Sequence, residues 1–468
     1  MHALDPTVCR RARLARDRRF DGEFFLAVIT TGIYCRPVCP ARPPREENVR
    51  YFRSAAEAAQ AGFRPCLRCR PESAPWSPAW LGTDTTVRRA LALIMEGFLN
   101  QAPLSALADR LGVGERYLRK LFQQKLGVSP TAVAQTQRLH LAQKLVLETE
   151  LPMTDVAFAA GFSSLRRFNS ATREAFGCAP GELRRAPRKA PGSGLALSLT
   201  FRPPYDWQGV HALFSRHAVE GLDSVNDGSW TRALRTPGGA AVVTIRQGGS
   251  DHLLAELKLS DNRELMIVIA QLRRMFDLDA QPQDISEGLA TDPALAPLLH
   301  EHPGLRSPVF ATPFESCIRA VVGQQISTVA ARTQLGSLVA AVGSQAEIEG
   351  RPTTLFPTPG EFLEIDDEVF RMPRSRRQTL RAVAELFAAG EPDQEALAAV
   401  RGIGPWTLDL VAMRGHGDPD RFPVSDLGLV KAAEAQGITR RELPARSQHW
   451  QPWRSYAANL LWRSLSHG

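Results

Sequence analysis

Four of the chain's seven cysteines stand in two tight pairs, Cys35-Arg-Pro-Val-Cys39 and Cys66-Leu-Arg-Cys69. Two knuckle-like pairs at such a separation close a tetrahedral four-thiolate site around zinc. The odd cysteine count argues against a disulfide framework. A closed site of this kind forces two distant turns into one coordination sphere. Spacing by itself implies a zinc-stabilised fold and no reaction. Arg36, Arg42, Arg64, Arg68 and Arg70 surround the pairs, where they favour thiolate over thiol and attract phosphate.

The words around the pairs carry more. Asp21-Gly-Glu-Phe-Phe, Thr30-Thr-Gly-Ile-Tyr-Cys-Arg-Pro-Val-Cys, Glu47-Asn-Val and Ala61-Gly-Phe-Arg-Pro-Cys-Leu-Arg-Cys resemble the N-terminal domain of Ada, over roughly residues 5–72. In that family the first cysteine of the quartet takes a methyl group from a methylated DNA phosphate. The resemblance implies Cys35 as acceptor and Cys39, Cys66 and Cys69 as its co-ligands on one Zn²⁺. Cys9 has no partner in this pattern and is assigned no role.

Residues Leu104 to Phe122 alternate apolar residues at helical spacing, with Ala108, Gly112 and Leu118 at the offsets of a helix-turn-helix. Val156 to Phe168 repeats the pattern, and one long helix through Leu139–Leu147 joins the two. The doubled motif resembles the AraC-type DNA-binding domain. By position, Glu115, Arg116, Arg119 and Lys120 lie on one recognition helix, and Ser164, Arg166, Arg167 and Asn169 on the other. A generic helical bundle is the plain alternative.

Ala186 to Gly194 has linker composition. The net charge of +8 comes from residues 1–194, linker included: residues 195–468 are net acidic. The first two segments are therefore suited to phosphate, and the last must hold DNA through local groups. Phe201-Arg-Pro-Pro-Tyr-Asp-Trp opens a resemblance to the AlkA type of 3-methyladenine glycosylase that runs essentially to the end. Strands at Ala241–Arg246 and Leu253–Leu259 alternate with helices at Trp207–Ala218 and Glu264–Phe276. Ala311–Val339 reads as helical and contains Gln324 and Gln325, the counterpart of the loop that enters the gap left by a flipped base.

Leu397 to Asp426 carries the chemistry. A helical run meets Gly402-Ile-Gly404, and Pro405 restarts a helix. Glycine supplies positive φ, and proline suits the first helical turn. The free N–H groups of such a turn suit a phosphate. The stretch resembles the helix–hairpin–helix base-excision glycosylases, whose hairpin grips DNA and whose downstream aspartate drives base removal; Gly402, Gly404 and Asp426 match. Relatives that also cleave the backbone carry a lysine where this chain has Trp406. Iron–sulfur relatives carry four C-terminal cysteines, whereas the last cysteine here is Cys317. Trp406 and Trp462 match the pocket tryptophans, whose π-faces bind flipped cationic bases. Leu410 replaces a third pocket aromatic, while Trp450 and Trp453 read as packing residues. On spacing, Val-Ser-Asp before Leu-Gly-Leu is a helix N-cap; beside the hairpin and the Trp pair, Asp426 reads as catalytic.

The expected architecture is multidomain α+β. It comprises a small zinc-binding α/β domain (1–78), an all-α double helix-turn-helix domain (84–184), a linker (185–196), a mixed α/β lobe (197–282) and an all-α helix–hairpin–helix glycosylase domain (283–468). The expected function is a monofunctional glycosylase for alkylated bases such as 3-methyladenine and 7-methylguanine, fused to a methyl-phosphotriester-sensing activator. The alternative is a regulator whose glycosylase half only holds DNA. Expected partners are alkylated and promoter double-stranded DNA and RNA polymerase. No stretch reaches membrane-spanning length, and a cytoplasmic, nucleoid-associated location is expected.

Overall fold

The computed structural model describes residues 5–17, 20–66, 68–69, 71, 85–184, 195–348 and 351–465. Two compact units divide the chain. One comprises Met1–Pro203, Asp251–Gln271 and Leu278–Gln281, the other Pro204–Ser250, Leu272–Asp277 and Pro282–Gly468. The segment 197–282, expected as one lobe, is thus shared between them. The stretch Ala186–Gly194, expected as linker, and Arg70 lie outside the described residues. The linker was expected to reach 196, but a strand already starts at Leu195, where Leu195, Leu197 and Leu199 alternate inward.

In the first unit, β1 (Phe25–Val28) pairs antiparallel with β2 (Ile33–Cys35) and β3 (Val49–Phe52), while β4 (Arg64–Pro65) joins β2 in parallel. Side chains alternate across this sheet. Phe25, Ala27, Tyr34 and Phe52 pack on Ala55 and Ala58 of the helix Ala55–Gln60. Leu26 and Cys35 point the other way and cluster with Cys66 and Cys69. The pleat therefore builds the core on one face and presents the cysteines on the other. Cys9 packs with Ala12 and Phe24, and burial pushes its thiol up to about 11. It is a core residue.

The helix-turn-helix region follows the apolar periodicity. Leu104–Arg110 and Glu115–Leu126 form one pair, Met153–Ala159 and Leu165–Phe176 the other, and Pro130–Glu148 is the long helix between them. Gly161 has φ +85, and a Cβ there would lie 2.1 Å from the Asn100 amide, so this turn admits only glycine. Leu107, Leu118, Phe122, Val128 and Val133 fill the first core. The strand Leu195–Thr200 pairs antiparallel with His252–Leu259 in the same unit.

The second unit opens with the helix Trp207–Arg216 and a three-stranded meander, Asp223–Asn226, Ser229–Thr236 and Gly239–Gln247. Phe214, Trp230 and Phe276 pack ring to ring there, at centroid distances of 4.9–5.6 Å. The helical part encloses Phe314, Cys317, Val321, Leu335, Leu380, Val383, Leu397, Ile403 and Val411. The helical stretch expected over Ala311–Val339 is two helices, Pro313–Gly323 and Thr328–Val342, with the expected loop at Gln324 and Gln325 between them. Gln325 adopts φ +59 in the break, and the Ser327 hydroxyl caps the second helix by accepting the Ala330 N–H. A left-handed residue cannot continue a right-handed helix.

Candidate active site and zinc centre

The Sγ atoms of Cys35, Cys39, Cys66 and Cys69 lie within 4.8 Å of one another. Cys35 ends β2 and Cys66 follows β4, so the parallel pairing of Tyr34 with Pro65 brings the knuckles together. Mutual hydrogen bonding splits the thiols. Bonds to Cys39 and Cys66 push Cys35 up, and bonding with Cys35 likewise pushes Cys69 up; bonding with Cys35 holds Cys66 and Cys39 down. Four converging sulfurs that share protons fit a dication, which replaces those protons and satisfies all four. The quartet is a zinc site.

Arg36 is the arginine committed to it. Its N–H donates to Cys69 Sγ at 3.3 Å and its Nη1 to the Cys69 carbonyl at 3.1 Å. Its Nε donates to Asp21 Oδ1 at 2.7 Å. Arg64 instead donates to the Phe176 carbonyl, at the end of the second recognition helix. On the recognition helices Arg116, Lys120, Arg166 and Arg167 are exposed, and Asn169 is half-buried. Arg119 is exposed but paired with Glu115 at 2.7 Å. Ser164 caps its helix through the Arg167 N–H.

In the second unit a cleft of about 1440 Å³ is lined by Gln324, Gln325, Gly402, Gly404, Trp406, Leu410, Asp426 and Trp462. The expected glycosylase residues, separated by up to the length of the domain in sequence, line one cavity. Asp426 is the N-cap of the helix Leu427–Ala435, and its Oδ1 accepts the Leu429 N–H at 2.9 Å. The same oxygen accepts Trp462 Nε1–H at 3.0 Å, and Oδ2 accepts Trp406 Nε1–H at 3.0 Å. Cap and site are one arrangement. Three N–H donors fix the carboxylate's aim, and both tryptophans turn their polar edges to it. Trp450 is the packing residue expected, 1% exposed, with its N–H on Asp292; Trp453 packs on Tyr456.

The hairpin's two glycines differ. Gly402 has φ +95, and a Cβ would lie 2.4 Å from Thr379 Oγ1, the hydroxyl that donates to the Arg401 carbonyl. Gly404 has φ −107 and open space around it, so positive φ explains Gly402 and not Gly404. Gln324 was expected to face DNA; its amide donates to Gly402 O at 3.0 Å and Thr407 Oγ1 at 3.1 Å. That bond ties the helix break to the hairpin. Gln325, beside it, keeps a strained backbone at the cleft, as functional loops often do.

Several cleft residues escaped the sequence reading. Arg414 lies in a π turn, Ala412–His416, that continues the helix Pro405–Val411. Its guanidinium sits 5.4 Å from the Trp462 ring centroid and donates to Pro308 O and Asn459 Oδ1. Burial lowers it to about 9. Arg319 stacks on Phe310 at 4.5 Å and pairs with buried Glu315. His217 also lines the cleft; burial, with nearby arginines, lowers it to about 3. Lys431 adds an exposed cation at the lining. Of these, Arg414 and Lys431 bring positive charge to the cleft wall, Arg319 is balanced by Glu315, and His217 is neutral. A π turn has no sequence signature, and no motif marks them.

Three family descriptions match this chain: the metal-binding domain of Ada over residues 8–72, a helix-turn-helix domain over 107–186, and the AlkA N-terminal domain over 196–311. A probable bifunctional transcriptional activator/DNA repair enzyme AlkA of Mycobacterium tuberculosis (strain CDC 1551 / Oshkosh) is 43% identical, over 98% of this chain and 96% of its own. The DNA-3-methyladenine glycosylase 2 of Escherichia coli (strain K12) is 30% identical over 57% of this chain and 96% of its own. The solved 3-methyladenine DNA-glycosylase from Archaeoglobus fulgidus shares the fold over 58% of this chain and 98% of its own, with TM-score 0.53 and 22% identity. Among the described residues no helix is long and apolar enough to cross a membrane. With a zinc quartet, two recognition helices and an aspartate–tryptophan cleft on one polypeptide, the chain belongs to the family of bifunctional transcriptional activator/DNA repair enzymes of the AlkA type.

Proposed function

We propose that this protein removes alkylated purines, 3-methyladenine and 7-methylguanine, from DNA by hydrolysis, and activates transcription after accepting a methyl group from a DNA methylphosphotriester. The observation that carries the first part is the carboxylate of Asp426 held by the indole N–H groups of both Trp406 and Trp462. A purine methylated on a ring nitrogen is cationic and leaves with the glycosidic electron pair as a neutral base. It needs little acid help. The sugar's developing positive charge is what must be stabilised, and a preorganised carboxylate in a cleft does this. Water then adds to the sugar carbon, oriented by Asp426, and its proton passes to solvent. The aromatic faces of Trp406 and Trp462 hold the flipped base. Gly402 and Gly404 let the hairpin approach a phosphate, while Gln325 enters the vacated stack.

In the zinc domain Cys35 is the acceptor. Zinc, when bound, keeps the quartet's sulfurs as thiolates at neutral pH. The Cys35 sulfur attacks the methyl carbon; the S–C bond forms as the C–O bond breaks, leaving a thioether and a phosphodiester anion. Arg116, Arg119, Lys120, Arg166, Arg167 and Asn169 contact promoter DNA. The functional division is 1–78, 84–184, a lobe beginning at Leu195 and ending near 282, and 283–468. The protein also engages RNA polymerase at the promoter, a role that the activator named in the relative supports, and resides on nucleoid DNA in the cytoplasm. The test is abasic-site formation on methylated DNA by wild type and Asp426→Asn. Formation by wild type and not by the variant is expected; equal formation, or none by either, overturns the reading.

A further inference from the structure

The matched Ada region ends at residue 72 and the AlkA N-terminal match begins at 196, yet residues of both lie in the same compact unit. Their junction is built from charges. Arg202 is 1% exposed. Its Nε donates to the Asp21 carbonyl at 3.0 Å, its Nη1 to the Asp279 carbonyl at 3.1 Å, and its Nη2 pairs with Glu23 at 3.2 Å. Glu23 also bonds the Gln281 amide. All three guanidinium nitrogens are thus engaged, which is what burying a charge demands. A second clamp lies on the long helix. Lys144 Nζ donates to Ser198 O at 2.6 Å, Glu148 Oε2 accepts the Ser198 N–H at 3.1 Å, and the two side chains pair at 3.1 Å. Both backbone polar groups of one strand residue are held by one ion pair.

The Arg202 junction reaches the zinc centre through Asp21 and Arg36. Asp21, whose carbonyl Arg202 holds, turns its carboxylate to Arg36. Arg36 directly follows Cys35 and donates its N–H to Cys69 Sγ. Asp21 is itself 6% exposed, so these charges act on each other with little screening. We propose that Arg36, Asp21 and Arg202 form a signalling interface that carries the methylation state of Cys35 to the first strand of the glycosylase half. This rests on the reading of Cys35 as methyl acceptor. Turning its thiolate into a thioether removes one unit of negative charge beside Arg36. The guanidinium then leans more on Asp21, and the Asp21 carbonyl shifts against Arg202 and the segments 195–203 and 278–281. Arg202 is a positioning residue here.

The test uses the full-length zinc-loaded protein. In the first arm, zinc transfer to a chromogenic chelator is timed for wild type, Arg202→Met and Glu23→Gln. Loss of a buried charged hydrogen bond should speed release on the order of tenfold. In the second arm, hydrogen exchange over 195–203 and 278–281 is compared before and after incubation with methylphosphotriester DNA, with the methyl located by mass spectrometry. Methylation should change exchange there in wild type and leave it unchanged in the variants. Where Arg202→Met fails to fold, Glu23→Gln carries both arms. Equal zinc release by all proteins, or unchanged exchange in methylated wild type, overturns the interface. If Cys35 takes no methyl, the acceptor reading falls, while the zinc-release arm still judges the junction.

Discussion

At the scale of single residues, Asp426 has two duties that one substitution separates. Asparagine caps helices as well as aspartate does, so Asp426→Asn keeps the Leu429 and Trp462 N–H groups on its one oxygen, removes the charge, and turns an NH2 donor toward the Trp406 N–H. Excision of 3-methyladenine should fall on the order of hundreds-fold or more, with DNA affinity nearly unchanged and only a modest fall in thermal stability from the lost Trp406 bond. A folded variant with near-normal excision would remove Asp426 from the chemistry. The hairpin glycines separate in the same way. Gly402→Ala meets both φ +95 and the Thr379 hydroxyl, and should cost about 1–3 kcal/mol of stability. Gly404→Ala meets nothing within 4 Å. Its unfolding should not move, and any weakening on an abasic-site analogue reports DNA against that position. Equal destabilisation of both variants would show the distinction to be false.

At the scale of elements, what the sequence made legible was what repeats or what is unusual. The paired recognition helices, the long helix Pro130–Glu148 and the strand Gly239–Gln247 follow from apolar spacing. The quartet and the Gly-Ile-Gly-Pro turn follow from rare residues at fixed offsets. The loop at Gln324 and Gln325 was legible only through the family resemblance, because glutamine carries no preference for positive φ; the π turn holding Arg414 was not legible at all. Partners fixed by tertiary contact, such as Gln324 on Gly402 O, have no signal in one sequence. His217, just past the helix Trp207–Arg216, belongs to this group and has a pH signature. Burial lowers it from the ordinary 6.5 to about 3, so it is neutral when folded. As pH falls below about 6.5 the unfolded chain takes a proton that the folded chain refuses, and stability declines until the folded value is reached. At pH 4 the loss is about 3 kcal/mol. His217→Gln should flatten that acid limb in denaturant unfolding followed from pH 7 to 4; an unchanged limb would show that the histidine is not held neutral.

At the scale of the whole molecule, the net positive charge lies before residue 195, where the quartet and both recognition helices lie. Four thiolates around one dication leave that centre net negative, facing a phosphate backbone of the same sign. Methylation of Cys35 removes one of those charges, so repulsion falls and the exposed Arg116, Lys120, Arg166 and Arg167 act with less opposition. The methylated protein should therefore bind its promoter more tightly than the unmethylated protein. The gap should narrow as salt rises, because screening shortens the reach of the charge difference. Cys35→Ser should take no methyl and show no switch. Replacement of Cys39, Cys66 or Cys69 should release zinc and unfold the sheet whose strand β2 ends at Cys35, since the buried sulfurs of Cys66 and Cys69 are packed into the quartet. Promoter affinity measured at two salt concentrations, before and after exposure to methylated DNA, decides the matter. Equal affinities at low salt, or a gap that widens with salt, would mean that the switch is not electrostatic.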